Sequence, residues 1–329
     1  MQTILVSKTN PNAFPTLQEA VLSIDDSRTE TVRIQIEPGI YEEKVFIRKE
    51  NIEIVGSGRD NTIFRYGDGA RKPRPDGEGE YGTFNTAVWL VAGKDITVSN
   101  LTVENTAGPG SIAGQAIALY VAADRCSFYH CNFLGFQDTV FMGLTGSKPM
   151  RPDYFLNSSV NIEYEAARNY FFDCYINGDV DFIFGPSIGY FEKCEIHSRK
   201  RESEANSYIT AANTPAGQEF GLIFFDCSLT GDGTASSTYL GRPWRDFAKT
   251  AFVNCFMDAH IIPEGWGNWG KIKAEAVCCY IEHNNNGPGA QPDKRVPFSK
   301  QITNPELVNY FSRENVLKGE DDWNPQPAN

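Results

Sequence analysis

No stretch of the 329-residue chain approaches the roughly 20 consecutive apolar residues of a membrane-spanning helix, so neither a span nor a membrane partner is expected. The opening MQTILVSKTNPNAF lacks a basic region followed by an apolar run, so no secretory signal is legible. As written the chain reads as cytoplasmic; a protein trimmed of its signal, and so secreted, would read the same. Basic residues are scarce, 30 Lys and Arg against 42 Asp and Glu, for a formal net charge of −12. Phosphate backbones demand clustered Lys and Arg, so nucleic acid is not an expected partner. The eight cysteines contain no CxxC pair, which removes zinc-ribbon and thioredoxin-type readings. The four histidines, at 130, 197, 260 and 283, have no close metal spacing and read as surface or satisfied core groups. Neither a metal nor a cofactor is expected.

What is plentiful is strand and turn material, with 22 Phe, 14 Tyr and 29 Gly. It is arranged as an imperfect repeat. Ile96-Thr-Val-Ser-Asn-Leu-Thr-Val-Glu-Asn105 and Cys126-Ser-Phe-Tyr-His-Cys-Asn-Phe133 are followed by Tyr170-Phe-Phe-Asp-Cys-Tyr-Ile176 and Tyr190-Phe-Glu-Lys-Cys-Glu-Ile196. Phe224-Phe-Asp-Cys-Ser-Leu229 and Phe252-Val-Asn-Cys-Phe-Met257 continue it. The Cys or Asn positions fall at 100, 131, 174, 194, 227, 255 and 279, at intervals of 20 to 43. Short alternating segments at such intervals, with turns between them, indicate a solenoid whose equivalent residues stack in ladders. The expected fold is all-β: a right-handed, single-stranded parallel β-helix with short capping helices. Its cysteines read mainly as small buried residues, with a disulfide, Cys126 to Cys131 above all, as the alternative.

A solenoid needs its ends covered. Residues 14–24 are expected to form an N-terminal helical cap, with Thr16 as N-cap and Glu19 closing a capping box. A second helix is expected from Asn304 as N-cap and Pro305 at the first helical position, within a tail over 284–329. Inserts are expected at 67–81 and 143–168. No linker divides the chain, so 1–329 is expected to be one domain and a monomer.

Three segments place reactive groups beside turn residues: Gly135-Phe-Gln-Asp-Thr-Val140, Gly178-Asp-Val-Asp-Phe-Ile-Phe-Gly185 and Leu240-Gly-Arg-Pro-Trp244. Asp181 lies in a bulky apolar run, where a carboxylate is costly unless paired, and Arg242 is its natural partner. Singly, such aspartates read as turn or stack residues satisfied by backbone N–H groups.

Together these segments resemble the pectin methylesterase (pectinesterase) family. The resemblance covers about 16–323 and runs in the family's order through Gly39-Ile-Tyr-Glu-Glu43, Gln115-Ala-Ile-Ala-Leu119, Gly135-Phe-Gln-Asp-Thr139, Asp181-Phe-Ile-Phe-Gly185 and Leu240-Gly-Arg-Pro-Trp244. Tyr81-Gly-Thr-Phe-Asn-Thr-Ala87, Asn105-Thr-Ala-Gly-Pro109 and Gly265-Trp-Gly-Asn-Trp269 also look like family segments. The resemblance implies a carboxylic ester hydrolase acting on methyl-esterified polygalacturonate or oligogalacturonides, with no metal. It implies Asp181 as nucleophile, Asp138 as general acid/base, Gln115 and Gln137 as oxyanion amides, and Arg242 as the group orienting Asp181. Trp244 and Phe184 match cleft aromatics, with Tyr81, Thr83, Trp266 and Trp269 as further cleft candidates. In this chemistry the arginine lowers the pKa of Asp181, and the resulting charge raises that of its neighbour, so the two acids take different roles. The 43 positions from Asp138 to Asp181 exceed the family's usual gap, and residues 143–168 account for the excess.

Rival readings are few. Gly185-Pro-Ser-Ile-Gly189 fits the serine-esterase pattern, but a strand of the repeat follows Ser187 where that motif needs a helix. A calcium-dependent lyase would need clustered acidic ligands, and an inverting hydrolase a widely spaced carboxylate pair. A β-helical binding protein without turnover is the non-enzyme alternative. Asn100 and Asn157 head glycosylation sequons by pattern only.

Overall fold

The computed structural model describes residues 2–143, 167–201 and 206–326, in two compact units, Met1–Ala167 and Arg168–Asn329. Apart from its ends, the insert expected at 143–168 lies outside the described residues.

In the first unit the chain visits three parallel sheets in turn and repeats. One sheet stacks Gln2–Val6, Val32–Ile36, Ile52–Val55, Ile96–Ser99 and Cys126–Tyr129. The second stacks Gly39–Tyr41, Thr62–Tyr66, Thr102–Asn105 and Asn132–Leu134. The third stacks Val45–Ile47, Trp89–Val91, Leu119–Val121 and Val140–Met142. Alternation decides which residues face inward. Ile34, Ile54, Val98 and Phe128 lie in register on successive coils and are all buried. Each such side chain contributes about 1.5–3 kcal/mol relative to exposure. The architecture is a parallel β-helix.

The second unit repeats the plan. Its first sheet runs through Arg168–Phe172, Ile188–Glu192, Leu222–Phe225, Lys249–Val253, Cys279–His283 and Ser299–Gln301. Its second holds Tyr175–Gly178, Glu195–Ser198, Ser228–Gly231 and Phe256–Met257. Its third holds Val180–Gly185, Ser207–Ala212 and Thr238–Gly241. Phe171, Phe191, Phe224 and Phe252 stack with ring centroids 4.6, 4.6 and 4.5 Å apart.

The corner between the first and second sheets is a single residue in the left-handed conformation: Asp173, Lys193, Asp226 and Asn254, with φ between 49° and 55°. Short polar residues tolerate this region better than most. A buried cysteine follows each corner, and Cys194, Cys227 and Cys255 donate to the carbonyls of Phe171, Phe191 and Phe224 at 3.3–3.5 Å. All eight cysteines are free thiols, Cys126 and Cys131 included. Burial pushes the Cys194 and Cys227 thiols far above their ordinary range. Two members of the expected ladder move. Asn100 is itself a left-handed corner, with Leu101 taking the ladder position. Cys279 pairs with Lys249 at the start of a strand, and Asn285, after the corner Asn284, meets Cys255 instead.

The N-terminal helix is Leu17–Leu22, with Thr16 accepting from the Glu19 N–H at 3.2 Å. The next two orphan N–H groups, of Leu17 and Gln18, donate to Glu43, a partner from the following coil. At the C-terminus, Pro305–Phe311 is a 3₁₀ segment, and the α-helix comes later, at Arg313–Leu317 with Ser312 as N-cap. The helix expected from Pro305 is therefore displaced to a better cap. His260 departs from the satisfied-core expectation: it is buried, neither ring nitrogen is hydrogen-bonded, and burial pushes its pKa down to about 4. Among the described residues no helix is long and apolar enough to cross a membrane.

Candidate active site

In the second unit, Asp181 occupies a β-bulge. Val180 pairs with Tyr208 and Ile183 with Thr210, so Asp181 and Phe182 together face one residue of the neighbouring strand. Asp181 has φ of 50°, left-handed and costly for a side-chain-bearing residue. Bulges re-aim side chains in this way and recur beside active sites. The buried carboxylate is held bidentately by Arg242, Nε to Oδ1 at 2.8 Å and Nη2 to Oδ2 at 2.7 Å. Such fork-to-fork bonds fix geometry as well as charge.

Arg242 is itself constrained. Its N–H donates to the Thr210 carbonyl at 2.9 Å, directly after Gly241, where any Cβ would overlap the Thr210 hydroxyl. Its guanidinium lies between two rings, 3.9 Å from the Tyr208 centroid and 3.8 Å from that of Trp269, an arrangement suited to arginine rather than lysine. Tyr239 stacks on Tyr208 at 5.1 Å. Lys271 donates to the carbonyls of Pro243 and Trp244 at 2.8 Å each. Neither Tyr208 nor Lys271 carries a sequence signal beyond strand alternation, and reading the chain misses both.

Burial is the largest influence on Asp181 and pushes its carboxyl above the ordinary range; Arg242, then Arg201 and Lys271, pull against it. The expectation that the arginine sets the net direction is corrected: desolvation outweighs it. Nearby Asp179 is also buried, its Oδ1 without a hydrogen bond, and burial raises its pKa too.

The aromatic candidates divide. Phe184 and Trp244 meet at 5.8 Å, and Trp269 is 38% exposed beside Arg242. Trp266 is not a cleft residue. It is 1% exposed, stacks on Tyr280 at 4.2 Å and donates to Glu282, so the core takes both of its faces.

In the first unit, Asp138 is buried and, like Asp181, left-handed, with φ of 66°. Gln115 and Gln137 lie on adjacent coils, joined by the Ala116 N–H donating to the Gln137 carbonyl at 3.0 Å. Both are half-buried. A Cβ at Gly110 would overlap the Gln137 amide oxygen, so the segment carrying Gly110 is the wall against which that amide rests. Thr83 opens a 3₁₀ turn over Thr83–Asn85, and Tyr81 is buried against lysine side chains. Among the described residues no group of three His, Cys, Asp or Glu could hold a metal ion.

A buried, bulge-mounted carboxylate is thus gripped by a ring-stacked arginine on a parallel β-helix. The Pectinesterase family model matches residues 3–146 and 161–320. Pectinesterase 31 of Arabidopsis thaliana is 33% identical over 325 residues, covering 97% of this chain and 93% of its own. The carrot pectin methylesterase structure is similar with a TM-score of 0.81 and 28% identity, over 97% of this chain and 94% of that one. A pectin methylesterase solved in complex with a hexasaccharide matches at 0.80 and 26%, over 100% and 99%. The chain belongs to the pectinesterase family.

Proposed function

We propose that the chain hydrolyses the methyl esters of galacturonate units in pectin, with Asp181 as nucleophile. The observation that carries this reading is the bidentate Asp181–Arg242 pair in its buried bulge. A carboxylate is a weak nucleophile in water, but one stripped of solvent and aimed by a fixed cation is competent for covalent catalysis. Burial makes Asp181 more basic, and the Arg242 guanidinium opposes that rise while it aims the carboxylate.

One Asp181 oxygen attacks the ester carbonyl carbon. The tetrahedral oxyanion is held by the amides of Gln115 and Gln137. Its collapse breaks the bond to the methoxy oxygen, which takes a proton from Asp138 and leaves as methanol. The sugar remains joined to Asp181 as an anhydride. Asp138, now ionised, takes a proton from water, whose oxygen attacks the same sugar acyl carbon. Cleavage of the bond to Asp181 frees the new galacturonate carboxylate. Conversion of Asp138 between its two forms makes it acid in one half-reaction and base in the other.

Trp244 and Trp269 serve as sugar platforms, with buried Phe184 backing Trp244, and the hexasaccharide bound by a relative supports an oligosaccharide-length cleft. The family match runs through both compact units, which supports 1–329 acting as one pectinesterase domain.

The test is methanol release from highly methylated pectin in EDTA. Methanol without new reducing ends or unsaturated products is expected; sugar-chain cleavage without methanol would overturn the reading. A second expectation concerns the Gln137 amide. Gly110→Ala should displace it and lower kcat by about 10²-fold, the usual cost of one oxyanion donor, with little change in KM. A KM-only effect in steady-state assays would remove Gln137 from the oxyanion site.

A further inference from the structure

The charged segment 67–81 takes no part in this mechanism, yet it builds a site of its own. Asp68 is buried, and each of its carboxylate oxygens accepts from a lysine: Oδ2 from Lys44 at 2.7 Å and Oδ1 from Lys72 at 2.5 Å. Lys44 also donates to the Asn85 carbonyl at 2.8 Å. Two rings flank both ammonium groups. Lys44 Nζ lies 5.9 and 5.6 Å from the Tyr66 and Tyr81 centroids, and Lys72 Nζ 5.8 and 5.5 Å. Two ammonium groups converging on one carboxylate leave these three residues with net positive charge, in a chain whose net charge is −12.

The two lysines are not equivalent. The Lys44 side chain is 13% exposed, whereas that of Lys72 is 44% exposed. Burial pulls the Lys44 pKa down, and the Asp68 bond raises that of Lys72. Lys72 is thus the accessible, firmly charged end of a cluster whose buried end is locked.

Its place in the coil stack matters. Val45, Trp89, Leu119 and Val140 are in register, so Lys44, Val88, Ala118 and Thr139 form the row beside them. Asp138 and Gln137 immediately precede Thr139 in sequence. The Ala70 N–H donates to the Gln115 carbonyl at 2.8 Å, and the Asn105 amide ties the Asp68, Thr86 and Ile117 carbonyls together. The cluster lies on the edge that carries Gln115, Gln137 and Asp138. Three coil steps separate the Lys44 and Thr139 positions, about 14 Å at the usual strand spacing.

We propose that Lys72, backed by Lys44 and Asp68 and flanked by Tyr66 and Tyr81, is a subsite for the free carboxylate of an unesterified galacturonate unit. The proposal rests on the esterase reading above. A free carboxylate takes a charge-assisted bond from Lys72, while Tyr66, 38% exposed, offers the sugar an amphipathic surface and buried Tyr81 backs the ammonium groups. A methyl-capped unit carries no charge, and its ester carbonyl accepts only a weaker bond from the ammonium. The cluster also gives an acidic protein a local sign reversal suited to a polyanion.

The test compares binding of two probes by calorimetry: unesterified hexagalacturonate and its fully methylated counterpart. Lys72→Glu is expected to weaken the unesterified probe about tenfold or more, with the methylated probe changed by no more than about twofold. Lys72→Arg is expected to restore most of the loss, and added salt to weaken only the charged probe. Equal weakening of both probes would make the cluster structural, and no weakening of either would make it a surface ion pair; each result overturns the proposal. A Lys72-dependent preference in a protein that releases no methanol would sink the esterase reading and leave the carboxylate subsite standing.

Discussion

Replacing Asp181 by alanine is expected to lower methanol release by at least about 10⁴-fold, the scale of removing a covalent nucleophile. What remains would come from substrate binding and oxyanion stabilisation alone. Asp181→Asn is expected to be as inactive while keeping the shape of the bulge, which separates loss of charge from loss of packing. In the wild type, kcat should fall as pH drops through the Asp181 pKa, because the protonated acid cannot attack. Burial raises that pKa, so the acidic limb should lie above the range of an ordinary carboxylate. A pH–rate profile with active-site titration of both variants checks this. Appreciable turnover by Asp181→Asn at neutral pH would remove Asp181 as nucleophile.

Arg242→Ala is expected to act on both chemistry and fold. Without the guanidinium, only the weaker pull of Arg201 and Lys271 opposes burial of Asp181, so the acidic limb should move to higher pH. The carboxylate also loses its aim, and misplacement on the scale of 1 Å costs about 10²-fold. Leaving a buried carboxylate unpaired costs about 3–5 kcal/mol, so the melting temperature should drop in the same variant. Arg242→Lys keeps the charge but can neither grip both oxygens nor fill the slot between Tyr208 and Trp269. It should recover part of the limb and little of the rate. Thermal melts beside pH–rate profiles decide the matter; an unmoved limb in Arg242→Ala would mean that the arginine has no hold on the reacting group.

The solenoid was legible because its stacking leaves a chemical trace: the same aromatic and the same cysteine must recur wherever the same inward position recurs. The trace fails at its ends. Asn100 and Cys279 look like ladder members because each sits near the correct interval, but the left-handed corner fixes the phase, and residue spacing alone does not reveal backbone conformation. For the same reason the conformations of Asp138 and Asp181 could not be read, although both belong to recognisable segments. Trp266 shares a Gly-Trp-Gly segment with no mark to distinguish a core ring from a cleft ring; only the stack on Tyr280 decides it. Tyr208 is invisible for a simpler reason. It works by lying across a strand pair from Val180 and against a side chain 34 positions later.

The cysteines have a consequence for how the protein ends its life. While the protein is folded, seven of the eight are buried, and burial holds the Cys194 and Cys227 thiols far above their ordinary range, so oxidants have little to act on there. Unfolding would release eight thiols at once into a chain whose native state uses no cross-link. Eight cysteines can pair in on the order of a hundred ways, and every one of them obstructs return to the coil stack. In oxidising surroundings each full opening is thereby a one-way event. The working lifetime of the enzyme there is set by its unfolding rate rather than by its equilibrium stability.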